Sequence, residues 1–166
     1  MTAVSNLQLK RSPWQTIVLL TLGLWLGASL ILDWVIMPSL YVSGMMTQAG
    51  FTSAGYLIFW NFNRIELVAA AIVLTSVLAL NQTAFVSKNW RRGAVILSGL
   101  MLAVALTNAY FLTPQMCATG IQLNFFATVQ EVPATMNNLH VAYWLLEATK
   151  LAVGGTLLGW CFRQEV

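Results

Sequence analysis

Residues Leu139 to Phe162 read LHVAYWLLEATKLAVGGTLLGWCF, an apolar run long enough to cross a bilayer that nevertheless carries His140, Glu147 and Lys150. On a helix turning 100° per residue, His140 and Glu147 fall about 20° apart, and Lys150 lies roughly 60° further round. One face of an otherwise apolar helix is therefore ionisable. A charge at mid-bilayer costs roughly 2.5–3.5 kcal/mol on insertion scales, so these side chains require polar partners on neighbouring helices. The other apolar runs must supply them.

The 166-residue chain is 58% hydrophobic and 8% charged, whereas a soluble domain has about 25% charged residues. That shortage places it among integral membrane proteins, with the lipid bilayer as its first partner. The length suits one domain, residues 1–166, of four spans. A net charge of +3 raises nucleic acid as a partner. The basic residues, however, form small clusters beside apolar runs rather than a stripe, which excludes nucleic acid and makes them topology signals. Lys10-Arg11 before an apolar run imitates a signal peptide, but the run is too long and ends without an A-x-A site, so it is read as a retained first span.

The spans are expected at about residues 14–36, 61–80, 93–112 and 139–162. Pro38 is expected to close the first and Pro114 the third, because proline cannot continue a helix. The spacings Gly23-x-x-x-Gly27, Gly99/Ala103/Thr107 and Gly155-x-x-x-Gly159 predict close helix approach. The two long connections, 38–60 and 113–138, contain no Lys or Arg. Lys10, Arg11, Lys88, Arg91, Arg92 and Arg163 all fall on the tails and the middle loop. By the positive-inside rule both termini are cytoplasmic. The expectation is an all-α, integral membrane four-helix bundle, multi-pass, in a bacterial inner membrane or an equivalent internal membrane.

This topology sends polar residues from all four helices to the outer half: Asp33, Arg64, Glu66, Asn108, His140, Glu147 and Lys150. They are the expected binding site for a small ligand or ion. Three acids oppose Arg64 and Lys150, leaving one acid unmatched if His140 is neutral. With Arg64 expected to neutralise Asp33 and Lys150 to meet Glu66, the unmatched acid falls on Glu147. No G-x-S-x-G, H-E-x-x-H or phosphate loop occurs, so no catalytic residue and no cofactor are expected. The alternative is a copper-handling or haem/redox membrane protein. Met45, Met46, Met116, Cys117 and His140, with Met37 and Met136, map to the outer side and carry the soft donors that Cu(I) prefers. Cys117 and Cys161 fall near opposite faces, which excludes a disulfide between them. A bis-His haem would need a histidine from each of two chains.

Gly27 with Pro38, Phe59-Trp60-Asn61 with Asn63 and Glu66, and Leu139-His140 together resemble the transmembrane-protein-205-like domain-of-unknown-function family of small four-span proteins. The resemblance covers most of the chain. It implies the four-span architecture and no assigned reaction. That family is similar at a distance to copper-resistance-type membrane proteins and to the haem-bearing protoporphyrinogen oxidase of bacteria. The latter relies on more than one histidine, and this chain has only His140. The expected role is a bundle that binds a small ligand or ion, or supports a membrane complex or homo-oligomer.

Overall fold

Long runs of Leu, Ala, Val and Ile with few breakers favour helix, and in a computed structural model the chain is helical over nearly all the residues described: 12–45, 48, 50–82, 88–126 and 134–163. The elements are α1 (Pro13–Ile31), a π-helical turn π1 (Leu32–Ile36), α2 (Met37–Val42), α3 (Phe51–Asn81), α4 (Lys88–Thr107), a second π turn π2 (Asn108–Leu112), α5 (Thr113–Phe126) and α6 (Ala134–Arg163). No strand occurs among the described residues. Lys10, Arg11 and Met46 lie outside them.

Three helical runs are long and apolar enough to cross a membrane: Pro13–Val42, Phe51–Asn81 and Trp90–Gly120. The fourth run, α6, has 30 residues, but its charged and polar side chains dilute the apolar ones. Both α1 and α4 pack against α3 and α6. Large side chains such as Leu24, Ile65, Ile96 and Phe162 point outward. That apolar exterior suits contact with lipid acyl chains rather than water.

The two prolines do not end their helices. Met37 N–H donates to the Leu32 carbonyl and Thr113 N–H to the Asn108 carbonyl, each five residues back. Widening the turn just before Pro38 and Pro114 makes room for the ring, which would otherwise crowd the carbonyl four residues earlier. The expected connections are correspondingly short. Residues 51–60 begin α3, and 113–126 form α5. Gly50, at φ +90°, makes the turn into α3, a backbone state that glycine adopts freely.

The chain has two distinct ends. Gln15 Nε2 donates to the Cys161 carbonyl at 2.7 Å, so the start of α1 meets the end of α6. From there Val18, Leu22, Val73, Val77, Ala105 and Leu157 build an apolar core. The expected small-residue contacts sit elsewhere. A Cβ on Gly23, Gly27, Gly99, Gly155 or Gly159 would meet nothing within 4 Å, while one on Gly154 would lie 2.8 Å from Leu26 Cδ2 and 2.9 Å from Met101 Cε. Gly23 and Gly155 are exposed and Gly27, Gly99 and Gly159 half-buried, because polar and large apolar residues claim the inward face of each helix.

Candidate functional site

On α6, Tyr143, Glu147 and Lys150 follow at intervals of four and three, one turn apart on one face. Each recruits different neighbours. Lys150, fully buried, carries the deepest group. Its Nζ pairs with Glu66 Oε1 of α3 and lies 2.8 Å from Glu147 Oε1 and 2.6 Å from Oε2. Trp25 Nε1–H donates to the same Glu66 oxygen at 2.8 Å, and the Ser29 hydroxyl does so at 3.2 Å. Asn108 Nδ2 donates to Glu147 Oε1 at 3.1 Å from π2. One ammonium thus ties α3 to α6, with α1 and π2 closing the shell. Buried charge is tolerable only with this degree of pairing.

One turn further from the core, the Tyr143 hydroxyl donates to Asp33 Oδ1 at 2.7 Å. Asp33 comes from π1 and is 2% exposed, and its Oδ2 has no hydrogen-bond partner. Nearby, Asn63 Nδ2 donates to the Thr113 hydroxyl at 2.7 Å, joining α3 to α5.

Beyond Asp33 the helices part around a cavity of about 390 Å³, within the range of small-molecule sites. Phe51, Tyr56, Phe59, Tyr143 and Trp144 supply its aromatic wall, and Asp33 its acid. Edge-to-face contacts of Phe59 with Tyr143 (5.7 Å) and Tyr143 with Trp144 (6.3 Å) hold that wall. Past Lys150 the buried side chains are mainly those of the apolar core.

The expected site residues therefore divide. Glu66, Asn108, Glu147 and Lys150 form one cluster. Asp33 adjoins it through Tyr143 and faces the cavity. His140 is exposed and also lines the cavity. Its Nδ1 is 2.8 Å from the Met136 carbonyl, an acceptor only, so Nδ1 donates there and Nε2 is left for other partners. Arg64 stands apart. Two positions before Glu66 it points away from the interior, exposed, with its guanidinium 4.1 Å from the centre of the Trp60 ring. Asp33 accordingly lacks the expected arginine, whereas Glu147, expected to be the unmatched acid, shares Lys150 with Glu66 and accepts from Asn108.

Among the soft donors, Met116, Cys117 and His140 line the cavity with Met37 and Met136, while Met45 is exposed and Met46 lies outside the described residues. Trp25, Ser29 and Tyr143 escaped sequence reasoning. Tyr143 had a signal, standing four before Glu147 on the ionisable face. Trp25 and Ser29 share one face of α1, four residues apart, but nothing apolar about that helix marked them as ligands of an acid. No family model, curated protein or solved structure matches the chain.

Proposed function

We propose that the chain is a four-span membrane bundle with both termini cytoplasmic, holding a binding site for a small ligand in its outer half. The observation that carries this reading is the cavity of about 390 Å³ with a buried acid, Asp33, on its wall, one oxygen of which has no hydrogen-bond partner. A buried acceptor without a partner costs about 1–3 kcal/mol, more when charged, and a ligand that draws that carboxylate toward the cavity recovers that cost. The apolar core argues for binding rather than open conduction. Helices of about 30 residues span about 45 Å, roughly the bilayer with its headgroup regions. In that placement the cavity lies at the level of the outer headgroups.

Cys117 lines the cavity and reports on it. Gly55, also on the wall, has open space where a Cβ would stand, so a side chain can start there without a clash, and Gly55→Phe is expected to occupy part of the cavity. Modification of Cys117 by methyl methanethiosulfonate, followed by peptide mass spectrometry, is expected to slow about tenfold in Gly55→Phe with melting unchanged. Unchanged modification would remove the cavity as a site.

Sidedness has its own test. In a background lacking Cys117 and Cys161, cysteines at Ser5 and Asn89 are expected to resist an impermeant thiol reagent in intact cells, and one at Gln48 to react. Labelling at Asn89 from outside would reverse the topology.

A second reading has one observation in its favour. Met37, Met116, Cys117, Met136 and His140 share the cavity wall, a donor set suited to Cu(I). Stoichiometric retention of copper by the purified chain, lost in Cys117→Ser, would favour it.

A further inference from the structure

We infer that the ligand of the outer cavity is a small organic cation, an amine or quaternary ammonium with apolar substituents. This deepens the proposed ligand-binding reading and rests on it. The buried charges carry the inference. Asp33, Glu66 and Glu147 are three buried carboxylates, and Lys150 is the one buried ammonium among the described residues. One ammonium cannot serve all three acids. Lys150 is engaged by Glu66 and Glu147, so Asp33, on the cavity wall, has no cation of its own. Its Oδ1 accepts from the Tyr143 hydroxyl, and Oδ2, buried behind the wall, has no hydrogen-bond partner.

The cavity wall selects the kind of cation. A hard divalent metal takes six or more oxygen ligands. This wall offers one carboxylate, few hydroxyls and five aromatic rings. Aromatic faces attract a positive charge within about 6 Å and favour one whose hydration is weak. An organic ammonium meets both requirements. Its charge answers Asp33, and its carbon skeleton fills the space beside Phe51, Tyr56, Phe59 and Trp144. The protein already uses this contact elsewhere, with Arg64 over Trp60 and Lys150 5.9 Å from the centre of the Phe62 ring.

Two probes of one shape isolate the charge: benzyltrimethylammonium and its neutral carbon isostere neopentylbenzene. Each is titrated against the rate of Cys117 modification by methyl methanethiosulfonate, using the full chain in native membranes. The cation is expected to protect Cys117, with the isostere about tenfold weaker or worse. Asp33→Asn is expected to erase that difference while still protecting weakly with both probes. Equal protection by the two in the wild-type chain would overturn the cation and leave the cavity as a site for neutral ligands. Protection by neither, with modification still slowed in Gly55→Phe, would also overturn it. A Cys117 rate indifferent to Gly55→Phe would instead remove the underlying cavity reading. The wild-type comparison needs no variant, so misfolding of Asp33→Asn would not shield the proposal.

Discussion

Lys150→Met is expected to be the most damaging single substitution in the chain. The ammonium is wholly buried and serves two carboxylates on different helices. Removing one partner of a buried ion pair costs about 3–5 kcal/mol, because the charge left behind is stranded in a low dielectric. Here two carboxylates are stranded, so the loss should reach the upper end of that range. Glu66→Gln is expected to cost less, since a glutamine oxygen still accepts from Trp25 and Ser29 in the place of Glu66 Oε1. The triple variant Lys150→Met, Glu66→Gln, Glu147→Gln should recover much of the loss, having no buried charge to strand. Melting temperatures of the detergent-solubilised variants decide it. A tolerated Lys150→Met, or a triple variant no better than the single, would show that the three do not act as a unit.

Gly154→Leu is expected to be nearly as severe, for a different reason. The place of its first side-chain carbon is already occupied by Leu26 and Met101, and three further carbons have nowhere to go. Forcing extra atoms into a packed core costs about 1–3 kcal/mol and sometimes more. Gly154→Ala should fall between, because the contacts are with the ends of side chains that can shift. Gly155→Leu is the control. It faces outward into open space and should gain up to about 1 kcal/mol from helix propensity. Thermal melts of the adjacent pair separate packing from backbone preference. Equal losses at the two positions would mean that the close approach at Gly154 is not sustained.

Much of the polar centre was legible because charge is conspicuous in an apolar chain. Glu66, Glu147 and Lys150 announced themselves, and helical spacing put Glu147 and Lys150 within reach of each other. Arg64 shows the limit of that reasoning. Depth along the helix admitted it, whereas its angle, two residues from Glu66, turned it to the exterior. Asp33 was misjudged in consequence, since its expected counter-charge was on the wrong face. The helix ends were missed for a local reason. Pro38 and Pro114 read as stops, and nothing in the residues before them announces a five-residue turn. The cavity was illegible altogether. It is a gap between side chains contributed by residues 33–37, 51–59, 113–120 and 136–144, and no single stretch encodes it.

The two π turns carry a consequence for how this sequence is to be aligned with others. A π turn is an α turn with one residue too many. Deleting one residue from Leu32–Ile36 would restore the α pattern and leave everything beyond it on its present face, because the wide turn absorbs the extra ~100°. Met37 would stay on the cavity wall, and Asp33 would keep its place at the start of the turn. The same holds for Asn108–Leu112 and the wall residues Met116 and Cys117. A true relative can therefore be one residue shorter in the middle of an apolar run, where alignment practice forbids a gap. Comparisons that push that gap out to residues 43–50 would shift Met37 by a position and pair it with a neighbour on another face of the helix. Registers set separately on each side of the two turns would keep the wall residues matched.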